Sequence, residues 1–453
     1  MEPMKLSEVL AAVGGECENF CEKTVSAVTT DSRNVPENSL FLALKGENFD
    51  GNRFVGEAFA KGACACIAEK GNVPLSPSHE NLILVERTDR ALLQLARAYR
   101  ETLPAKIVGV TGSVGKTTTK EMIWAVLSES FRTRKTEGNL NNQIGLPKTL
   151  LSLDRTCEAA VIEMGMSDRG EIHALSEATQ PDAAVITMIG VSHLENLKTR
   201  DNILLAKLEI LDGLKPGGTL ILNTDNDLLS TVKEVGHPMM RYGIEHDADV
   251  RGRNITEENG ETQFDIVFEN HTVHAKIPCI GVHNVYNALA AFCVGKVFAM
   301  SDDAIVRGLS HYAPSGMRQK ITEVRGITVV EDCYNASPDS MEAAINTLAT
   351  MSGKRIAVLG DMLELGSISK TAHFNIGKLC AQKKIDLLLC YGDEARMMQR
   401  GCEENGGKAF WVEDRDALVT ALRGQASAGD TVWFKASRGM KFEEIIEKFN
   451  EEK

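Results

Sequence analysis

The stretch that decides the fold reads Lys106-Ile-Val-Gly-Val-Thr-Gly-Ser-Val-Gly-Lys-Thr-Thr-Thr119. Its first half is an apolar run typical of a buried strand, and its second half leads into a segment that predicts a helix over residues 120–129, opened by Lys116 and three threonines. Backbone N–H groups at a loop-to-helix junction form a concave anion site, to which the helix dipole adds partial positive charge. The stretch therefore predicts a phosphate-binding loop.

The side chains of this loop suit a nucleoside triphosphate. Gly112 and Gly115 permit the backbone angles that a phosphate cradle needs. Lys116 would reach the β- and γ-phosphates, and the Thr117 hydroxyl would hold Mg²⁺. The strict pattern G-x-x-x-x-G-K-[ST] requires glycine where this chain has Val110. An ordinary helix start is the alternative, but strand, G-x-x-G-K-T and helix together favour nucleotide binding.

Composition limits the function classes. The chain has 453 residues, 43% of them hydrophobic, and a formal net charge of −13, which argues against a nucleic-acid partner. No apolar run reaches the length of a membrane span, and the N-terminus lacks a signal-peptide core. The eleven cysteines include no C-x-x-C pair. We therefore expect reduced thiols in a cytoplasmic protein.

The length predicts several domains, and prolines at 104 and 314 mark boundaries between them. We expect a small α/β domain over residues 1–103, a central domain over 104–313 and a C-terminal domain over 314–453. In the first domain the pattern predicts strands at 39–44, 63–68 and 81–86, and helices at 52–62 and 90–100.

The rest of the chain alternates strands with helices, which predicts mostly parallel α/β sheets. The predicted central strands are 159–164, 182–189 and 219–223. Residues 250–278 change to period-two alternation and predict antiparallel hairpins, followed by a helix at 283–298. The C-terminal segments ITVVEDCY, KRIAVLGDM, IDLLLCYG and DTVWFKAS predict a Rossmann-like second α/β sheet.

Ligands of open α/β sheets gather at the carboxyl ends of the strands. Glu163, closing a predicted strand, is suited to share Mg²⁺ with the loop threonine, although a solvated cap is an equal alternative. Ser167, Arg169 and His193 follow the same or the next strand, and a lone histidine is more often structural. Three asparagines lie in GNLNNQIGLP (138–147), for which a plain turn is the alternative. From periodicity alone, Lys207 is a snorkelling side chain on an amphipathic helix.

The order of these motifs adds a family resemblance. TGSVGKTTTKEM, GNLNNQIGLP, EMGMSDRGEI, HLEN with AKLEI, and GVHNVYNALAA follow one another as in the Mur ligases, ATP-dependent amide ligases that build the peptide stem of peptidoglycan. The resemblance runs from about Leu6 to the C-terminal KASRGMKFEEII. Within the family, the segments TTDSRNVPENSLFLALKGENFDGNRF and VLGDMLELG imply addition of D-alanyl-D-alanine to UDP-N-acetylmuramoyl-tripeptide. The third residue of that tripeptide, lysine or diaminopimelate, stays open.

The resemblance also implies roles for individual residues. Lys116, Glu163, His193 and Lys207 are the expected catalytic residues, and the expected metal ligands are Thr117, Glu163, His193 and Lys207. Two Mg²⁺ ions are expected, the second held by a carbamate on Lys207. The residues expected to bind ATP are Gly112, Ser113, Val114, Gly115, Lys116, Thr117, Thr118, Asn284, Asn287, Arg318 and Asp332. Those expected to bind the other substrates are Thr30, Asp31, Ser32, Arg33, Lys45 and Gly46 at the UDP-sugar end, and Asn139, Asn141, Asn142, Ser167, Arg169 and Asn335.

One loop departs from the family pattern. Where the family usually reads D-D-S-Y-N-A-N-P, this chain has Glu331-Asp332-Cys333-Tyr334-Asn335-Ala336-Ser337-Pro338. Asp332 and Asn335 are kept, while the Glu, Cys and Ser replacements alter the detail of the loop.

Two kinds of rival function are open at this point. The first is another ligase of the superfamily, either an earlier stem-peptide ligase or a folylpolyglutamate ligase, against which the UDP-sugar-like first domain argues. The second is a P-loop nucleotide switch, which has no use for the Glu163, His193 and Lys207 set; a GTPase would also carry N-K-x-D, which this sequence lacks. We expect a monomeric enzyme.

Overall fold

The computed structural model describes residues 1–46, 49–72, 80–258, 260–314 and 316–451. Residues 47–48, within the quoted ALKGENFDG segment, and residue 259, within the predicted hairpins, lie outside this range. The described strands form sheets of two, four, nine and six strands, and helices cover their faces. The three-domain α/β architecture agrees with the prediction.

The first domain is built on a parallel four-stranded sheet. Its strands follow chain order, Ala27–Thr29, Ser39–Leu42, Ala63–Glu69 and Leu82–Val85. The predicted helix 52–62 is divided into a 3₁₀ turn and an α-helix because the Asp50 carboxylate accepts a hydrogen bond from Asn52 N at 3.0 Å. The remaining elements of this domain are the paired strands Met4–Lys5 and Thr24–Val25, the 3₁₀ turn Gly51–Phe54, and the helices Leu6–Val13, Val55–Ala60 and Thr88–Glu101.

The central sheet has nine strands, with the phosphate-loop strand Lys106–Thr111 inside it. That strand pairs in parallel with Ala159–Glu163 on one side and Ala183–Ile186 on the other, so the carboxyl ends of three strands meet beside the loop. The predicted hairpins are present and extend the sheet at its far edge. In spatial order the strands are His271–Ile277, Glu261–Phe268, Val250–Glu258, Met239–Gly243, Thr219–Asn223, Ala183–Ile186, Lys106–Thr111, Ala159–Glu163 and Thr133–Lys135.

Apolar clusters cover both faces of this sheet. On one face, the helices Lys116–Ser128 and Val282–Val297 pack through Ile123, Val126 and Leu289. The cluster on the other face continues into the first domain, so the two domains share a core. The further helices and 3₁₀ turns of this domain are Gly145–Ser152, Glu171–Thr179, Leu194–Leu197, Arg200–Leu208, Glu209–Leu211, Leu229–Thr231 and Asp302–Ser310.

The third domain is a six-stranded sheet with buried residues on both faces. Its helix Pro338–Leu348 starts in a capping box between Ser337 and Ser340, with proline at the first helical position, where no N–H is needed. In spatial order its strands are Lys320–Val324, Ile327–Glu331, Thr431–Lys435, Arg355–Gly360, Leu387–Tyr391 and Ala409–Val412. Its other helices and turns are Gly366–Ile368, Ser369–Gln382, Arg396–Glu403, Arg415–Arg423, Arg438–Met440 and Phe442–Asn450.

Across the described residues, no helix is both long and apolar enough to cross a membrane. All eleven cysteines are free thiols.

Candidate active site

The phosphate loop has the backbone shape that its glycines predict. Gly112 has φ +148° and Gly115 has φ +86°. A methyl group on Gly112 would lie 2.0 Å from Thr187 Oγ1, so a side chain does not fit there. Val110 is buried inside the strand, before the loop begins, and this explains why the loop needs no glycine at that position. The predicted helix starts earlier than expected, at Lys116.

Lys116 lies over the mouth of the loop. Its Nζ donates to the carbonyl oxygens of Gly112, at 2.7 Å, and Ser113, at 3.4 Å. Burial lowers the pKa of its ammonium group, with Glu163 opposing and Arg318 adding to the shift. Phosphate oxygens of a bound nucleotide can replace these two carbonyl oxygens as acceptors for Lys116 Nζ.

Thr117 and Glu163 meet beside this lysine. The Thr117 hydroxyl donates to Glu163 Oε2 at 2.8 Å, and Asn141 Nδ2 donates to Glu163 Oε1 at 2.8 Å. The glutamate is 2% exposed, so the alternative of a solvated strand cap is wrong. A hydroxyl and a carboxylate held together in this way are hard oxygen ligands suited to Mg²⁺.

A buried ion network supports Glu163 from behind. Lys120 is 1% exposed; its Nζ lies 3.1 Å from Glu121 Oε1 and 3.7 Å from Glu163 Oε2, and donates to the Thr136 carbonyl at 2.7 Å. Lys135 pairs with the other oxygen of Glu121. The two lysines and two glutamates balance in charge.

Lys207 is completely buried, so its interpretation as a snorkelling side chain is wrong. Its Nζ has no hydrogen-bond partner among the residues that the structure describes. Burial lowers the pKa of Lys207 well below its usual range; Lys116 adds to this shift, and three glutamates, Glu163 among them, oppose it.

His193 precedes the short helix Leu194–Leu197 and has φ +63°. Burial lowers the pKa of its imidazole to about 4, and the charges of Lys207 and Lys116 add to this shift.

Magnesium, the metal that the family resemblance implies, prefers several oxygen ligands. Among the described residues, no three His, Cys, Asp or Glu side chains are grouped to hold an ion. Thr117 and Glu163 supply two adjacent oxygens, while burial favours the neutral amine of Lys207, which is the form that can accept carbon dioxide. A carbamate there would supply the missing anionic oxygens. The residues present therefore fit Mg²⁺ together with a modified lysine.

A chain of amide side chains joins the loop helix to the third domain. Thr119 Oγ1 donates to Asn287 Oδ1 at 2.9 Å, and Asn287 Nδ2 donates to Asn284 Oδ1 at 3.2 Å. Asn284 then donates to Gln319 Oε1 at 2.8 Å. Nearby, the Arg318 guanidinium lies 3.8 Å from the centre of the Tyr334 ring. Such amides and a flat cation offer contacts for a nucleoside.

The third domain adds charged groups from the opposite side. Lys435 Nζ donates to Asp332 Oδ2 at 2.7 Å and to the Asn335 carbonyl at 3.3 Å. Further contacts join this domain to the central one: Val191 N donates to Asp339 Oδ2 at 3.4 Å, and His193 Nδ1 lies 3.5 Å from Glu364 Oε2.

A cavity of about 770 Å³ lies between the central and third domains, and the residues that line it include Lys116, Thr117, Glu163, Asp332 and Lys435. Among the residues predicted for the catalytic, ATP and peptide sites, three stay outside its lining: Gly112, whose carbonyl holds Lys116; Arg169, which is exposed; and Lys207. The predicted residues that the cavity brings together are Ser113, Val114, Gly115, Lys116, Thr117, Thr118, Asn139, Asn141, Asn142, Glu163, Ser167, His193, Asn284, Asn287, Arg318, Asp332 and Asn335.

The residues predicted for the UDP-sugar end lie elsewhere, in the first domain. Thr30 and Asp31 line a separate cavity of about 350 Å³ that includes Lys148 of the central domain. Arg33 forms an exposed ion pair with Asp31 at 2.8 Å. The other three predicted residues do not line this cavity. The Ser32 carbonyl accepts a hydrogen bond from Lys61 Nζ, Lys45 forms an isolated backbone β-bridge with Asp50, and Gly46 N donates to the Phe49 carbonyl.

Sequence reasoning missed several cavity residues. Asp225 accepts hydrogen bonds from three successive backbone amides, Ile244 to His246, and from the Tyr286 hydroxyl. It follows the strand Thr219–Asn223, so the strand-end rule would have found it. The same rule would have found Lys435, because it lies near the end of a predicted strand. Asp339, in a helix, carried no such signal.

Comparison with known proteins gives three family matches along the chain. The model described as "Mur ligase family, catalytic domain" matches residues 24–100, "Mur ligase middle domain" matches 110–295, and "Mur ligase, glutamate ligase domain" matches 317–438. Together they cover all three sheet-bearing parts of the chain.

Full-length relatives carry one shared name, UDP-N-acetylmuramoyl-tripeptide–D-alanyl-D-alanine ligase. The Bacillus subtilis protein is 42% identical over 94% of this chain and 93% of its own, and the Escherichia coli protein is 35% identical over 100% and 99%.

Solved structures agree with these relatives. A crystal structure of MurF from Acinetobacter baumannii matches with a TM-score of 0.93 at 30% identity over 100% of both chains. That of MurF ligase from Thermotoga maritima in complex with ADP matches with a TM-score of 0.86 at 30% identity, over 94% of this chain and 97% of that one. The chain therefore belongs to the Mur ligase family.

Proposed function

We propose that this chain uses ATP to join D-alanyl-D-alanine to the terminal carboxylate of UDP-N-acetylmuramoyl-tripeptide. The products are UDP-N-acetylmuramoyl-pentapeptide, ADP and inorganic phosphate, which makes the reaction a step of peptidoglycan synthesis. The observation that carries the proposal is the 42% identity to a ligase of that name over nearly the whole chain. The phosphate loop, the Thr117–Glu163 pair and the third-domain residues in one cavity support it chemically.

A carboxylate is a poor electrophile and must be activated before an amine can attack it. In the first step its oxygen attacks the γ-phosphate of ATP, so that an acyl phosphate and ADP form. The amine then attacks the acyl carbon, and phosphate leaves from the tetrahedral intermediate. Lys116 is suited to neutralise the transferring phosphoryl group, because its ammonium already points at two loop carbonyls.

Mg²⁺, when bound, would neutralise further phosphoryl charge and align the reacting oxygens. Thr117, Glu163, His193 and a carbamylated Lys207 are the residues we assign to holding two such ions. Asn139, Asn141, Asn142 and Ser167 are assigned to the phosphate and peptide, and Asn284, Asn287, Arg318 and Asp332 to the nucleoside. The third-domain contacts at Val191 and His193 support closure over the cavity, which would shield the acyl phosphate from water.

We assign the domain boundaries to residues 103/104 and 313/314. The UDP end of the substrate is assigned to the first domain, whose cavity includes Thr30, Asp31 and the positively charged Lys148. Arg33, Lys45 and Gly46 are placed at the rim of that binding region, and Arg169 on the path toward the central cavity. The enzyme is proposed to act as a cytoplasmic monomer.

Phosphate release tests the proposal directly. We expect phosphate only when ATP, UDP-N-acetylmuramoyl-tripeptide and D-alanyl-D-alanine are all present. Release with ATP alone would indicate a nucleotide switch, and ligation of D-alanine or glutamate in place of the dipeptide would indicate another ligase. Tripeptides with lysine or diaminopimelate, compared in parallel, would identify the third stem residue.

A further inference from the structure

Asp339 brings a third-domain carboxylate to the phosphate loop. It lies in the first turn of the helix Pro338–Leu348 and lines the large cavity. A methyl group on Gly190 would lie 2.3 Å from Asp339 Oδ2 and 3.4 Å from Ser113 Cβ. The carboxylate therefore sits against the central domain, next to the loop that is proposed to hold the transferring phosphate.

The other carboxylates of this cavity are already engaged. Glu163 is bonded to Thr117 and Asn141, and Asp332 is paired with Lys435. The remaining two are Glu171, which accepts from Ser167 N, and Asp225, which accepts from three backbone amides and from Tyr286.

Asp339 is different. From other described residues it accepts a single hydrogen bond, the long one from Val191 N, and no Lys, Arg or His nitrogen of the described chain lies within 4.0 Å of it. Burial raises the pKa of this carboxyl, and the Val191 hydrogen bond and the more distant charge of Arg200, which is itself paired with Asp227, oppose the shift. A half-buried carboxylate that faces a cavity and forms no ion pair with the described residues is suited to a cationic ligand.

The amine substrate is such a ligand. In water the amino group of a dipeptide is largely protonated near neutral pH, and it must lose a proton before its nitrogen can attack. We propose that Asp339 binds the ammonium group of the incoming dipeptide and removes a proton from it as the nitrogen attacks the acyl phosphate. One proton of the ammonium group passes to the Asp339 carboxylate and from there to water, and the electron pair of that N–H bond attacks the acyl carbon. A second proton passes from the newly bonded nitrogen to the regenerated carboxylate as the tetrahedral intermediate collapses and its C–O bond to phosphate breaks. This second proton then passes to the departing phosphate or to water. This inference rests on the proposed function.

The chain offers a matched control for the test. Asp416 occupies the same position in the first turn of another third-domain helix, Arg415–Arg423, but it is exposed and paired with Lys448 at 2.6 Å. Both Asp339→Asn and Asp416→Asn remove a carboxylate from a helix N-terminus. We expect Asp339→Asn to lower kcat/KM for D-alanyl-D-alanine about 100-fold or more while the KM values for ATP and tripeptide stay within about twofold. Asp416→Asn should behave as the wild type.

Hydroxylamine separates amine capture from carboxylate activation, because it is small and largely uncharged near neutral pH. With hydroxylamine as acceptor, Asp339→Asn should form the tripeptide hydroxamate at the wild-type rate. Unfolding temperatures check that each variant is folded, and Asp339→Ser gives a second test if the asparagine variant is not.

Two results would overturn the inference: retention of normal kcat/KM for the dipeptide, or equal loss of the dipeptide and hydroxylamine reactions. The latter would assign Asp339 to domain closure. If the wild type itself forms no amide with D-alanyl-D-alanine, the proposed function fails first, and this outcome is distinct from a defect confined to the variant.

Discussion

The Thr117 hydroxyl donates a 2.8 Å hydrogen bond to Glu163 Oε2, although 46 residues separate the two in sequence. The parallel pairing of Lys106–Thr111 with Ala159–Glu163 brings them together, because it places the end of one strand beside the loop that follows the other. The two oxygens are adjacent, as ligands of a shared cation would be.

Glu163→Gln should weaken Mg²⁺ binding while preserving the fold. The amide keeps the size of the side chain and can still accept from Thr117, but it has no charge to attract the metal. We expect a higher Mg²⁺ concentration for half-maximal activity and a kcat lowered by about 100-fold. Calorimetric titration of Mg²⁺ with ADP would measure the binding defect without turnover. An unchanged Mg²⁺ requirement would remove Glu163 from the metal site.

Lys116→Ala should abolish ATP-dependent ligation in a folded protein. Its ammonium is the side-chain positive charge of the loop itself, and the loss of such an electrostatic contact is expected to reduce the rate about 100-fold or more. Circular dichroism would verify the fold, and a coupled assay for ADP would measure the rate. Near-normal turnover would contradict the phosphate-loop interpretation.

Lys207 should require carbon dioxide. Its buried, unpartnered amine can form a carbamate, so removal of bicarbonate should slow the enzyme and its return should restore the rate. Lys207→Arg, which remains cationic, should be almost inactive. The mass that the carbamate adds to the intact protein, measured under mild conditions, provides a readout apart from activity. Full activity of the arginine variant would show that the side chain at position 207 is not needed as an anion.

Oxygen-18 in the terminal carboxylate of the tripeptide should be transferred to inorganic phosphate. If ATP phosphorylates the carboxylate, one labelled oxygen leaves with phosphate for each amide formed, and the nucleotide product is ADP. Mass spectrometry of phosphate and nucleotide measures both. Label in AMP would indicate adenylation, and unlabelled phosphate would indicate hydrolysis uncoupled from ligation.

Asp225 should stabilise the protein in a pH-dependent manner. Burial alone would raise the pKa of its carboxyl, but hydrogen bonds from three backbone amides and His246 outweigh it and lower the pKa to about 2. A lowered folded-state pKa stabilises the protein above the unfolded value, about 3.9, and this stability is lost as the pH falls toward 2.

At pH 7 we therefore expect Asp225→Asn to cost about 1–3 kcal/mol in free energy of unfolding, because the hydrogen bonds to a charged group weaken. The difference from the wild type should shrink below about pH 4, where the unfolded-state carboxyl becomes protonated. Unfolding by urea at pH 7, 5 and 3.5 measures it. A difference that stays constant across this range would contradict the assigned role of the charge.

Much of the fold and of the candidate site could be predicted, because the sequence patterns that indicate them are local. The phosphate loop is a continuous motif, and Glu163 follows directly from a buried strand. The strand predicted to reach residue 189 ends at Ile186 because Thr187 turns toward the loop and donates to the Val114 carbonyl at 2.6 Å, a contact made only in the folded chain. Asp339 escaped prediction for the same reason, since its surroundings come from the other domain. Short strands such as Thr133–Lys135 carry too few residues for a periodic pattern.

The balanced charges of Lys120, Glu121, Lys135 and Glu163 have a consequence for handling the protein. A carboxylate buried without a counter-charge would destabilise the chain whenever the metal left, as happens in domains that fold only around their ion. Here Lys120 Nζ lies 3.7 Å from Glu163 Oε2 and supplies a counter-charge from the protein itself. We therefore expect the protein to stay folded in a chelating buffer, so that any activity lost there should return on addition of magnesium without refolding.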